Sequence, residues 1–570
     1  MDPIRQIEQL IDVHHKNCSA LKYKRGTALL YALRIFEDAC RLGGISETGV
    51  GGDSLDQSLL IREQLNSLRT SINWIYEECY YDPKEPIDYV LDESKCYEFA
   101  ELHFDYAKPY YILCGAYIGY SRGRSDAQYF ENSKKIVFSK DENETSIYVT
   151  DVLETISSDS TPDMTWSESQ RIHLQKLELM KSIYTIDGHI HYRVTDEIWE
   201  AFCFLMQRQW DCSSELPLEW EFDNFTLKGF RAFWINLATF CLIHMFACLV
   251  SNIPGAAAED AVVLKTKDEF YKILRIRSKL TNKEFETIFN FLTYDHRIKN
   301  NDVILQPFVP ISSDVFALAP HLLLSSRPER NLITLIHKMK DRLYFALTNQ
   351  REQLIQNLLE QYVVANNTLR IVTNRMLTNE LPDIDYAMYD VSSQSVLLCE
   401  LKWLVEPDSA QEVAAREEEL FHGCQQINRV TNYANTNPAQ FMNLVFGEKT
   451  SAEYKFIPCV ISKKGIRVRS NPVPVISLST FLSFYKNKQS VYTFFEQIKS
   501  RAFLAAEQKE FDSYGHETIQ YAGYTFELPA LIKNRRGIFG NKRAILKVGR
   551  NELCPCESKK KYKKCCGVAK

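Results

Sequence analysis

The residues of this chain best suited to do chemistry are an aspartate and, fifteen residues later, a Glu-x-Lys triplet: Asp385 and Glu400-Leu401-Lys402. Two carboxylates held close repel each other unless a cation sits between them, and a hard divalent ion such as Mg²⁺ prefers oxygen ligands of this kind. A lysine beside such an ion can orient a water molecule or stabilise negative charge as it develops. As a bare pattern these residues recur by chance in many proteins, so their setting has to carry the argument. Asp385 lies in the alternating run Ile384-Asp385-Tyr386-Ala387-Met388-Tyr389, and Glu400 and Lys402 close the apolar run Val396-Leu397-Leu398-Cys399. The polar stretch Ser392-Ser393-Gln394-Ser395 separates the two. Two strand-like runs around a few turn-formers predict an antiparallel hairpin. With Ser392-Ser393 as a two-residue tip, Asp385 falls directly opposite Glu400, and opposed residues project to one face with Cβ atoms ~5 Å apart. Lys402, two residues on, shares that face. The competing reading is an ordinary cross-strand Asp–Lys ion pair.

The flanking segments are those needed to hold such a hairpin. Leu347, Leu354, Ile355, Leu358, Leu359 and Tyr362 form one helical stripe over 347–364, with Glu352 beside it. A second helix is expected from about Ser409 to Tyr433, followed by the apolar runs Phe456-Ile457-Pro458-Cys459-Val460-Ile461 and Val473-Pro474-Val475-Ile476. A helical crossover after the hairpin brings the next strand in parallel to it, which predicts a mixed α/β sheet flanked by helices.

This order, with these residues, resembles the PD-(D/E)xK, or restriction-endonuclease-like, nuclease superfamily over roughly residues 345–490. The resemblance implies that Asp385 and Glu400 bind Mg²⁺ or Mn²⁺, that Leu401 lends its backbone carbonyl to the metal, and that Lys402 is the catalytic lysine. It also implies that Glu352 is the acidic residue many members carry on the first helix. Gln426, in Cys424-Gln425-Gln426-Ile427-Asn428-Arg429, is similar to the polar residue many carry on the helix after the lysine strand, and Tyr433 fits there too. Pro382-Asp383 spells the first two letters of the family name, but Asp385 matches the usual place inside the strand. The implied activity is metal-dependent hydrolysis of phosphodiester bonds, in DNA ahead of RNA, in a setting such as restriction or phage defence.

A second signal lies in the tail. Cys554-Pro555-Cys556 is followed after eight residues by Cys565-Cys566, with Gly549-Arg550-Asn551 ahead and Lys561-Tyr562-Lys563 between. The spacing resembles the SEC-C motif, a zinc-binding knuckle named for the tail of the bacterial preprotein translocase ATPase. Glu557 and Lys559 stand where that motif usually has glycine. Four thiolates around Zn²⁺ form a closed tetrahedral site with no open position, so the implied role is structural, and so short a segment folds only with its metal. From Lys533 to Lys570 the balance is +11 against −5 for the whole chain, which leaves −16 for the rest. A basic zinc tail on an acidic body suits a polyanion such as nucleic acid, or docking on an acidic protein surface.

A chain of 570 residues with 45% hydrophobic and 25% charged residues is an ordinary globular composition, long enough for several domains. The expected divisions are 1–220, mainly helical with short strands; 221–345, a mainly helical recognition region; 346–500, the α/β domain; 501–545, a connecting segment; and 546–570, the zinc knuckle. Twelve cysteines are scattered singly, as in reduced proteins, and Met1-Asp2-Pro3-Ile4-Arg5 has no signal pattern, so a cytoplasmic location is expected. The apolar stretch Phe233–Val250 carries Asn236, Thr239 and His244 and reads as a buried core helix rather than a membrane anchor. His14-His15 and His189-x-His191 lack further ligands at useful spacing and read as exposed helix or strand histidines. There is no P-loop, dinucleotide fingerprint or nucleophile elbow. Two other classes remain open: a catalytically inactive nucleic-acid-binding or adaptor protein, and a secretion-linked adaptor working through its tail.

Overall fold

The computed structural model describes residues 2–46, 54–87, 93–139, 164–251, 260–363, 369–377, 381–405, 407, 410–449, 453–463, 465–466, 468, 471–486, 491–501 and 511–533. It is a mixed α/β structure with many helices and several small sheets. The zinc-knuckle cysteines Cys554, Cys556, Cys565 and Cys566 lie outside the described residues.

A five-stranded mixed sheet carries Asp385, Glu400 and Lys402. We label its elements in chain order: α1 (Asp341–Val363), β1 (Leu369–Arg375), β2 (Ile384–Asp390), β3 (Ser395–Lys402), α2 (Ala410–Thr436), α3 (Pro438–Phe446), β4 (Lys455–Ser462) and β5 (Val475–Ser477). The spatial order is β1-β2-β3-β4-β5: the first three strands form an antiparallel meander, and β4 and β5 run parallel to β3. The predicted helix, hairpin, helix and parallel strand are all present. Strand β1 was not anticipated. Its Ile371-Val372-Thr373 centre is β-branched, but half of its residues are polar, and it lies at the edge with no residue fully buried.

β3 is the middle strand, and Val396, Leu397, Leu398, Cys399 and Leu401 are fully buried there. Both faces of the sheet are therefore covered. Leu397, Cys399 and Leu401 join one apolar cluster with Ile355 and Leu359 of α1. Val396 and Leu398 join another with Leu420, Cys424, Ile427 and Val430 of α2. The turn between β2 and β3 is wider than predicted. Asp390 pairs with Ser395, leaving a four-residue loop from Val391 to Gln394 in place of the two-residue Ser392-Ser393 tip. The buried Asp390 carboxylate accepts from the Ser392 N–H (3.0 Å) and from both serine hydroxyls (2.7 Å each), and Gln394 takes the left-handed conformation that closes the loop. The loop is centred on the same pair of residues, so the register is the predicted one: Tyr386 faces Cys399 and Ala387 faces Leu398.

The cluster on the α1 face runs on into the helices of residues 25–46, 54–78, 196–213 and 227–250 without a break. Helix Leu227–Val250 passes through that core, with Phe230, Phe233, Leu237, Cys241 and Ala247 buried. Thr281 caps the next helix but one in a capping box with Glu284, as its Thr-Asn-Lys-Glu sequence predicts. The segment 501–545, expected as a connector, contains two long paired strands, Phe511–Tyr521 and Tyr524–Lys533. The second of these pairs in parallel with Lys135–Ser139, closing a four-stranded sheet whose core includes Ile4, Ile7 and Tyr117. Residues 511–533 are thus tied to the N-terminal region.

Candidate active site

Antiparallel pairing places the start of β2 and the end of β3 at one end of the sheet, and the three polar residues gather there. From Tyr386 on in β2 and throughout β3, alternate residues belong to opposite clusters, and Glu400, like Val396 and Leu398, projects toward α2; Ile384, at the start of β2, departs from the alternation and joins the α2-side cluster as well. The ladder stops at Tyr386–Cys399. One step further, the Leu401 N–H donates to Asp385 Oδ2 at 2.8 Å, fixing that carboxylate across the strand gap. A strand residue sends its N–H and C=O to the same side. The Leu401 carbonyl therefore faces the Asp385 side, while that of Lys402 accepts from the Lys463 N–H on the other at 2.9 Å.

Lys402 Nζ lies 2.7 Å from Glu400 Oε1, so the ion pair of this cluster is Glu400–Lys402 within one strand, not the cross-strand Asp385–Lys402 pair of the competing reading. Glu400 is buried, and its carboxyl is pushed up to about 7, by burial first and then by the Asp385 charge. Asp385 is also raised by burial, partly offset by the Leu401 N–H and by Lys402. Burial pulls the Lys402 ammonium down, but Glu400, Glu352 and Asp385 together outweigh it and hold it above its ordinary value.

Glu352 of α1 is half-buried and raised by burial, and it feels the Lys402 and Asp385 charges. It reaches the strand ends from the helix on the opposite face. One turn further along α1, the buried Gln356 donates to the Asp385 backbone carbonyl (3.1 Å) and exchanges hydrogen bonds with Asn374, itself in the left-handed conformation. Gln356 was not singled out from sequence. Its place one turn after Glu352 is the signal that could have found it.

On the other face, α2 approaches through Gly423, also missed. A Cβ there would stand 3.3 Å from Glu400 Cγ and 3.4 Å from Lys402 Cε. A glycine inside a 27-residue helix costs about 1 kcal/mol relative to alanine, and here it opens the room that the two side chains fill. That cost was the sequence signal. Gln426 stands half-buried one turn beyond Gly423, and Tyr433 two turns further, also half-buried.

The donor set suits Mg²⁺ better than a softer ion. Among the described residues no group of three or more His, Cys, Asp or Glu side chains assembles as a ligand set. Two carboxylates and one backbone carbonyl remain, and Mg²⁺ usually takes one or two carboxylates and keeps several waters. The buried Glu400 carboxyl, raised by burial and by the Asp385 charge, is the observation that fits: the pair lacks the second positive charge that would let both ionise. Glu352 is near enough to be felt electrostatically but is outside any such set. His189 pairs with Asp260 and His191 stacks on Tyr184. His14 stacks on Tyr106, whereas His15, expected to be exposed, is buried against Trp74 with ring centroids 4.2 Å apart. A helix residue facing an aromatic core is shielded by packing that the local sequence does not reveal.

The Glu400 shift has a measurable consequence. A carboxyl whose folded pKa lies above its unfolded value binds protons more tightly when folded. Its stabilising contribution is complete below about 4.5 and is lost as pH rises through about 7. Metal-free protein is therefore expected to lose melting temperature from about pH 4.5 to about pH 7 and to level off above it, and Glu400→Gln, neutral throughout, to flatten that limb. An equal slope in the variant would rule out Glu400 as its source.

Comparison with known proteins finds the SEC-C motif at residues 550–567. Over 27 residues, 5% of this chain, the sequence is 81% identical to the protein translocase subunit SecA of Desulforapulum autotrophicum, covering 3% of that protein. Over 22 residues, 4% of this chain, it is 86% identical to the protein translocase subunit SecA of Acetivibrio thermocellus, covering 2% of it. The chain thus spans only about 3% of the length of these curated relatives, and the likeness is that of the tail alone. No solved structure matches the chain.

Proposed function

We propose that this chain is a Mg²⁺-dependent nuclease of the PD-(D/E)xK kind, hydrolysing phosphodiester bonds in DNA ahead of RNA, with a role in restriction or antiviral defence. The observation that carries this reading is the Asp385–Glu400 pair at one end of β2 and β3, with Lys402 Nζ 2.7 Å from Glu400. The order of helix, hairpin, helix and parallel strand supports it, because it is the order on which the family resemblance rests. Asp385, Glu400 and the Leu401 carbonyl would hold the metal, which when bound supplies positive charge to the phosphate and lowers the pKa of its water. Lys402 keeps its proton beside the carboxylates and presents the positive charge that negative phosphate oxygens need. Gln356 and Gly423 set the positions of Asp385 and Lys402. The four tail cysteines would bind one structural Zn²⁺, and the +11 tail supports a polyanionic partner in the cytoplasm.

Purified full-length protein incubated with plasmid, linear duplex, single-stranded DNA and RNA is expected to cut DNA with Mg²⁺ and not with chelator. Retardation without cutting would favour an inactive nucleic-acid-binding protein, and neither cutting nor retardation an adaptor that docks on protein. Metal analysis of the same sample is expected to return one zinc per chain. Absence of zinc would remove the tail site.

A further inference from the structure

We propose that Trp403, gripped by Arg351 and Lys463, is a positioning clamp that fixes the end of β3 and with it Lys402, and that Glu215 ties this clamp to the N-terminal region. Its effect on cleavage rests on the nuclease reading above; its effect on Lys402 does not.

Lys402 is the last residue of β3, and strand ends are where a sheet frays first. The ladder to β2 has already stopped at Cys399, while toward β4 the Lys402 carbonyl accepts from the Lys463 N–H at 2.9 Å. Trp403 comes next. Its side chain joins the apolar cluster on the α1 face, and the residue is 7% exposed. Arg351 of α1, 2% exposed, holds it twice: Nη2 donates to the Trp403 carbonyl at 2.8 Å, and the guanidinium lies 5.3 Å from a ring centroid. Lys463 holds it from the end of β4, with Nζ 5.1 Å from the ring centroid. One residue therefore meets Lys402 through its backbone and Trp403 through its side chain. Cations over an indole face are attracted to it, most strongly where water is excluded.

Two cations beside one ring also repel, and Glu215 offsets this. Its carboxylate lies 3.3 Å from Lys463 Nζ and acts on Arg351 as well. Glu215 stands two residues beyond the end of helix Asp196–Ser213. Its N–H donates to Glu329 Oε2 at 2.9 Å, and the Ser214 hydroxyl donates to Glu329 Oε1 at 2.6 Å. Glu329 lies in the first turn of helix Pro328–Met339, whose next residue, Arg330, pairs with Glu412 of α2. The hold on Lys402 thus runs through Trp403 and Lys463 into the N-terminal region. A misplacement of about 1 Å at a reacting group costs about a hundredfold in rate, so a hold on this strand end is a hold on cleavage.

The test uses the full-length protein. In chelator, lysines are acetylated and the rate at Lys402 is read by peptide mass spectrometry against that at Lys135, a half-buried lysine paired with Glu527 in another sheet. Trp403→Leu and Lys463→Met, which keep apolar bulk and remove cation–ring contacts, are expected to raise the Lys402-to-Lys135 ratio about tenfold, the size of one or two such contacts. Lys463→Arg, which keeps a cation over the ring, should stay near wild type. With Mg²⁺ and DNA, the first two variants should lose kcat about tenfold with KM little changed, and Lys463→Arg should restore it. Added to Lys463→Met, Glu215→Gln should cost less than it does alone, because it acts through Lys463; full additivity would remove the N-terminal tie. A wild-type ratio in Trp403→Leu and Lys463→Met would overturn the clamp, and so would a rise shared by Lys135, the mark of general loosening. A raised ratio with unchanged kcat would overturn its part in cleavage. If the ratio rises in a protein that does not cut, the clamp stands and the nuclease reading fails.

Discussion

Lys402→Ala is expected to slow Mg²⁺-dependent cleavage by ~10²–10³-fold, the usual cost of removing one preorganised group that stabilises developing charge. Lys402, half-buried, is the cation placed against the buried Glu400 by its own strand, which restricts its replacement by water. Deleting one partner of a buried pair normally destabilises strongly, because the other charge is left uncompensated. Here the penalty is limited, since Glu400 can take up a proton near neutrality. The variant should therefore melt close to wild type at pH 6 and below it at pH 8, where an unpaired Glu400 would have to ionise. Circular dichroism melts at both values, beside cleavage rates, separate the catalytic loss from the folding effect. A variant that cuts at the wild-type rate would remove Lys402 from the mechanism and with it the main support for the proposed reaction.

The second large effect is expected at Gly423, a residue with no functional group. Alanine should lower activity about tenfold and valine ~10²-fold, because a misplacement of about 1 Å at reacting groups costs that much. Alanine's Cβ meets Glu400 Cγ at 3.3 Å and Lys402 Cε at 3.4 Å, so the side chains must give by a few tenths of an ångström. Valine adds γ-carbons with no such option. In stability the alanine variant should stay near wild type, the helix gaining about 1 kcal/mol in propensity while losing a similar amount to crowding. Activity of both variants on DNA, with melting curves as control, checks this. A fully active valine variant would show that α2 can retreat without disturbing Glu400 and Lys402.

Both effects depend on what holds α2 in place, and much of that comes from the first 345 residues. Arg124, buried, pairs with Glu417, Arg122 with Glu418, and Arg330 with Glu412. The apolar cluster on the α1 face is continuous with the N-terminal helices. The N-terminal region is therefore part of the body that braces the site.

The candidate residues, and the register that brings them to one end of β2 and β3, were legible in the sequence because the polar loop is symmetric about Ser392 and Ser393. Widening the turn from two residues to four left the register unchanged, for the same reason. The helices on either side followed from their apolar stripes, and the SEC-C tail from its cysteine spacing. Which neighbours complete the site did not follow. Gln356 acquires its role only when α1 crosses the start of β2, and Gly423 only when α2 presses on the end of β3. The pairing of Tyr524–Lys533 with Lys135–Ser139 spans almost four hundred residues, and no local pattern encodes it. Sequence alone determined which groups could do chemistry and which strand register brings them together, since both are properties of residue type and local pattern. Tertiary structure decided their charge states and supports, since burial, close approach and long-range pairing exist only once distant segments meet.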